Sequence, residues 1–198
     1  MTRIYVERES ETSTSRFVSV TQQLRDDRQV VTGANYPLIT RSDNIQAVID
    51  GITFYAYKVY SSTNLLAARA SIQILITTAV GRPIGVGLKA ECGAAAEIAV
   101  YENCTDVVGG TLFVPINRNR ASTNVAVTGI LIDPTSVTLG PEIYYDPVLG
   151  GTGGTAAGAT VDSDYAVLKA DTSYLFKMTN TSAQSQVAEF GLQWIENG

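Results

Sequence analysis

Residues 71–78 read SIQILITT. Ile72, Ile74 and Ile76 fall on one side of an extended chain, with Ser71, Gln73 and Thr77 among the residues on the other. Such alternation marks a half-buried β-strand, in which successive side chains point to opposite faces. The same period runs outward from this stretch. EIAVYE (97–102) sets Ile98 and Val100 against Glu97 and Tyr101, and TLFVPI (111–116) aligns Leu112, Val114 and Ile116. NVAVTGILI, EIYYDPV, YAVLK, SYLFKMT and VAEFGLQWI continue the series, separated by Gly, Pro, Asn and Asp. Eight or more short strands from about residue 52, with no amphipathic helix between them, predict an all-β fold: an antiparallel, jelly-roll-like β-sandwich over residues 51–198.

The run DPVLGGTGGTAAGAT (146–160) challenges that reading. Gly151, Gly153 and Ala156 fit the G-x-G-x-x-G/A spacing of a dinucleotide-binding loop, and Asp171 stands where the fingerprint wants an acidic residue. The fingerprint works only between a strand and a helix, whose N-terminal N–H groups bind the pyrophosphate. Here Gly158 and period-two residues follow, so no stable helix starts and the run reads as a strand-to-strand loop. No cofactor is expected.

Residues 1–50 differ from the rest. They hold 13 of the 33 charged residues, and every basic side chain among them is arginine, including Arg16, Arg25 and Arg28. This composition predicts an extended N-terminal arm. Ser19 stands three residues before Gln22, a capping-box spacing that predicts a short helix over about 20–29. Gly33 and Pro37 then favour turn and extended chain.

Composition narrows the function. A net charge of −5 and a pI near 4.7 offer no field for phosphate backbones, so nucleic-acid binding is not expected. No apolar run approaches the roughly 18 residues of a membrane span, and the charged N-terminus lacks a secretory signal, so a soluble, unexported chain is expected. The chain has no histidine, which removes Ser-His-Asp and Cys-His catalysis and histidine metal sites. Its two cysteines cannot complete a four-ligand zinc site. If GAAA (93–96) turns a hairpin, Cys92 lies near Glu97 and Cys104 near Gly85, and both thiols stay free.

Several residues remain as candidates. Asp162 and Asp164 offer paired carboxylates, though without the acidic loop of an EF-hand. The sequons NCT (103–105) and NTS (180–182) read as turns. Trp194 alternates with Ala188, Phe190 and Leu192 and is expected in the core. Tyr144 and Tyr145 are adjacent on a strand, so one of them is expected to reach solvent or a partner. Arg118 and Arg120 lie two apart at a strand end, placed either for bidentate bonds to carboxylates of another subunit or as a charged edge against strand aggregation.

Three segments, in order, resemble the β-sandwich head-decoration or capsid-cement proteins of tailed bacteriophages. They are VYENCTDVVGGTLFVPINRNRAST, DPVLGGTGGTAAGAT and LKADTSYLFKMTNTSAQSQVAEFGLQWIEN, and the resemblance covers roughly residues 55–198. It rests on Tyr101-Glu102, Gly110-Thr-Leu, Pro115-x-Asn117-x-Asn119-Arg120, the glycine loop, Thr172-x-Tyr174-Leu, Thr179-Asn180 and Phe190-x-Leu192-x-Trp194. It implies a non-enzymatic virion protein, made in the host cytoplasm, that sits on the major capsid protein as a homo-oligomer, most simply a trimer. It carries no catalytic residue. A carbohydrate- or receptor-binding sandwich on a phage fibre is the alternative, and an enzyme built on Asp162 and Asp164 is the third reading.

Overall fold

The computed structural model describes residues 3–8, 16–23, 28–31, 43–148, 157–159 and 166–196. The chain divides into two compact units, Met1–Asp50 and Gly51–Gly198. In the first, β1 (Arg3–Arg8), β2 (Arg16–Gln23) and β3 (Arg28–Val31) form an antiparallel sheet in chain order. The helix expected over 20–29 is therefore overturned, because residues up to Gln23 and from Arg28 belong to strands. Val18 and Val20 pair with Val6 and Ile4 of the preceding strand β1, and this cross-strand pairing of β-branched residues outweighs the capping signal. A short helix does occur near the arm, as α1 (Asp43–Ile49). It ends at Gly51, whose φ of +70° is the left-handed conformation that closes many helices.

In the second unit the strands are β4 (Thr53–Tyr60), β5 (Ser71–Thr77), β6 (Ile84–Cys92), β7 (Ala96–Glu102), β8 (Thr105–Val108), β9 (Thr111–Leu112) and β10 (Ile116–Asn117). They are followed by β11 (Gly129–Ile132), β12 (Ser136–Thr138), β13 (Glu142–Val148), β14 (Ala157–Ala159), β15 (Ala166–Leu168), β16 (Ser173–Asn180) and β17 (Ala188–Glu196). One sheet runs β10-β4-β17-β6-β14, with β15 also paired to β6, and the other runs β13-β7-β16-β5-β11-β9. All their pairings are antiparallel. The core lies between the two sheets. Phe54, Val86, Phe190, Leu192 and Trp194 from one face meet Ile72, Ile74, Ile76, Ile98, Tyr174 and Met178 from the other. Each such side chain stabilises the fold by roughly 1.5–3 kcal/mol when fully buried. Trp194 has no exposed surface, as its alternation with Phe190 and Leu192 requires.

A smaller cluster covers the outer face of the second sheet. There β8 and β12 form a two-stranded ribbon, and Leu75, Leu175 and Cys104 are buried with Val107 and Val137 packed against them. The cysteines are free and buried, but not for the reason given by a hairpin at 93–96. β6 and β7 belong to different sheets, so residues 93–95 form a crossover. Gly93 N donates to Val187 O at 3.0 Å and Thr181 N donates to Ala95 O at 3.0 Å, tying the crossover to both sheets. Cys92 consequently faces the central core while Cys104 lies in the outer cluster.

The residues following the glycine run are a strand. Ala157–Ala159 pair with Ala90–Cys92 of β6 where a dinucleotide loop would need a helix. Asp171 sits in a turn with φ +52°, its N–H donating to Ala79 O. The run itself, residues 149–156, lies outside the described residues, as do Asp162 and Asp164.

Candidate interaction surface

Residues 111–132 close one side of the sandwich. β9 lies on β11 at the edge of the second sheet, β10 lies on β4 at the edge of the first, and β11 returns to β5. TLFVPI is therefore not one strand. It is divided between two sheets, so Leu112 and Val114 are turned outward and Phe113 packs against the core.

Two buried polar side chains fix this wall. Asn117 donates from Nδ2 to Gly51 O at 2.8 Å and Asn124 O at 3.1 Å, and its Oδ1 accepts from Asn119 N at 2.8 Å. Glu196 holds the far end: its carboxylate accepts from Val127 N at 2.9 Å, Thr128 N at 3.1 Å and Trp194 Nε1 at 2.9 Å. It also lines a pocket of about 430 Å³ with Phe54, Arg82 and Val125. On either side of Asn117 in sequence the wall exposes Leu112 (75 %), Val114 (77 %), Val125 (81 %) and Val127 (50 %). Apolar side chains are common on protein surfaces when scattered, but several on one short wall mark an interaction surface.

Arg118 and Arg120 belong to the same wall. They do not share a strand face, because β10 ends at Asn117 and both lie in the turn after it. Arg118 Nη1 donates to Gln193 Oε1 at 2.8 Å, and Arg120 is exposed. The turn separates two side chains that an extended chain would have aligned.

Tyr144 and Tyr145 lie on β13, the terminal strand of its sheet among the described residues. Its register on β7 shifts between Glu142 and Tyr144, and both tyrosines reach solvent rather than one. Each hydroxyl is already engaged: Tyr144 donates to Asp146 Oδ2 and Tyr145 to Glu97 Oε2, both at 3.2 Å. The bond to Glu97 holds the Tyr145 phenol above its ordinary pKa, while partial burial does the same for Tyr144. Of the arm arginines, Arg16 opens β2 opposite Arg8 and Arg28 opens β3 opposite Gln23, and Arg25 lies outside the described residues.

One cluster escaped the sequence reading. Tyr55, Tyr57 and Val59 of β4 face away from the core, opposite in sense to Phe54 and Ala56. The Tyr55 and Tyr57 rings are nearly parallel, 5.7 Å apart, and Phe113 meets Tyr57 edge-on at 6.2 Å. The signal was the alternation in TFYAYKVY, in which an aromatic stands on each face. Comparison of the chain with protein-family models, curated proteins and solved structures finds no match in any of the three.

Proposed function

We propose that this protein is a non-enzymatic virion component that binds the outer surface of a phage capsid through the wall formed by residues 111–127. The observation that carries the reading is the set of exposed Leu112, Val114, Val125 and Val127 beside Arg118 and Arg120. Apolar anchors with arginine beside them are the composition of protein–protein interfaces, where arginine is enriched and other charges are depleted. The likeness of three segments to head-decoration proteins supports the capsid as the partner.

Magnitudes then favour an oligomer. Burying four aliphatic side chains contributes at most roughly 6–12 kcal/mol. Association costs about 4–15 kcal/mol in lost freedom of motion. One wall therefore binds weakly, whereas a trimer seated on a threefold position of the shell engages three walls and gains avidity without new contacts. A ligand that binds only the assembled shell stabilises it by mass action.

The test adds the purified protein to shells of its phage that lack it and counts bound copies by cryo-microscopy. Full lattice occupancy by the wild type and strong loss in Leu112→Asp/Val125→Asp, with an unchanged melting temperature, is expected. Shells that stay bare with the wild type, or equal occupancy by the variant, would overturn the assignment.

A further inference from the structure

The outer face of the first sheet carries a different kind of surface. Three rows cross it from β4 through β17 to β6: Tyr55–Gln193–Gly87, Tyr57–Gly191–Lys89 and Val59–Glu189–Glu91. Adjacent strands lie about 4.8 Å apart, so the rows extend roughly 10 Å from the tyrosines to β6. Gly191 and Gly87 stand diagonally on this face and raise no side chain. At Gly191 a Cβ would come within 3.2 Å of both Ala56 O and the Tyr57 Cβ, so the glycine keeps the ground beside Tyr57 clear. The result is a low floor bordered by two near-parallel aromatic rings on one side.

The polar rim is internally balanced. Gln193 accepts from Arg118 at 2.8 Å, and Lys89 pairs with Glu189 at 2.8 Å and Glu91 at 3.5 Å. One lysine and one arginine stand against two glutamates, so the floor has no net charge to offer a phosphate or a polyanion. Its chemistry suits an uncharged ligand with one apolar face and hydroxyls around its edge, since aromatic rings receive the apolar face while amide, guanidinium and carboxylate groups exchange hydrogen bonds with hydroxyls.

We infer that the face formed by Tyr55, Tyr57, Gly191, Gln193, Lys89 and Arg118 binds a neutral oligosaccharide. The site is separate from Tyr144 and Tyr145, whose hydroxyls are held on the other sheet. It does not rest on the capsid reading, and because Arg118 borders both this face and the wall at 111–127, a glycan seated here and a protein seated on the wall would compete for it.

Saturation-transfer NMR with the full-length protein tests the site, using maltohexaose, cellohexaose and chitohexaose as probes. Transfer to ring protons of at least one probe is expected. Tyr57→Ala should weaken it roughly tenfold, the size of one lost stacking contact, whereas Tyr145→Ala leaves it unchanged. Arg118→Ala, an exposed change that removes no core contact, should also weaken it and serves if Tyr57→Ala does not fold. No transfer from any of the three probes overturns the proposal, as does transfer that neither Tyr57→Ala nor Arg118→Ala reduces. Loss of capsid occupancy in Tyr57→Ala without any glycan signal would instead make this face a protein contact.

Discussion

Glu196 is a carboxylate in an apolar setting, 5 % exposed, and three N–H donors replace the water it has lost. Glu196→Gln keeps the shape but points an amide N–H₂ at groups that are themselves donors. It should cost about 1–3 kcal/mol in denaturant unfolding and loosen the wall at Val127. Trp194→Ala removes the donor and the largest buried ring, and should cost roughly 3–5 kcal/mol, enough to unfold a marginal sandwich. Wild-type tryptophan emission should be blue-shifted, because the single indole has no exposed surface. Asn180 is a similar pin: Nδ2 donates to Ala67 O at 3.1 Å and Gln184 O at 2.8 Å, and Oδ1 accepts from Ser182 Oγ at 2.7 Å. The NTS sequon is thus a structural turn whose asparagine is wholly buried in the folded chain. Glu102 gives the acid sensitivity a sign. Its carboxyl sits below the ordinary 4.5, chiefly through the hydrogen bond from Lys169 Nζ at 2.6 Å and further through Tyr174 OH at 3.1 Å. A depressed carboxylate contributes stability that is complete above its unfolded pKa and lost as pH falls through the lower folded value. Lys169→Met should flatten the melting temperature against pH by lowering it slightly at neutral pH, while leaving it unchanged at pH values where Glu102 is already protonated in both proteins.

At the scale of elements, the glycine run and the strand after it separate cleanly. Replacing residues 150–155 by a shorter Gly-Ser linker should change the melting temperature little, since closure cost varies slowly with length. Extending the replacement through Ala159 removes β14 from β6 and should lower it measurably. The strands that were legible in the sequence, β5, β13, β16 and β17, each stay within one sheet. Their alternation in sequence therefore maps directly onto inside and outside. TLFVPI failed because the chain changes sheets within six residues, and the GAAA stretch failed because a crossover and a hairpin turn use the same small residues. The helix expected over 20–29 failed because a capping box reports only the four residues it spans, while the strand is set by pairing with the preceding β1, which that window does not include. Of the candidate surface, Arg118, Arg120, Tyr144 and Tyr145 were visible as residue types. The platform at Tyr55 and Tyr57 was not, because the glycines that clear its floor come from β6 and β17, and sequence alternation on β4 says nothing of them.

For the whole molecule, the division at Asp50 sets the next expectation. Residues 51–198 alone should give a soluble β-protein with one cooperative melt by circular dichroism. If the first fifty residues join the subunits, this truncated protein should sediment as a monomer and occupy shells poorly, because the avidity of several walls is gone. Full occupancy by the truncated form would assign attachment to the sandwich alone. Strand order also dictates how such a protein is born. β17 lies between β4 and β6, and β16 lies between β7 and β5, so the centre of each sheet is supplied by the two strands of the sandwich that are made after all the others described. While that stretch is still being synthesised, neither sheet can join its halves, and the apolar faces of β4 to β7 wait exposed. Pairings this distant in sequence also form slowly. No sandwich can therefore exist until β17 has left the ribosome, and in a nascent chain stalled before Ala188 the residues from Gly51 onward should remain digestible by protease.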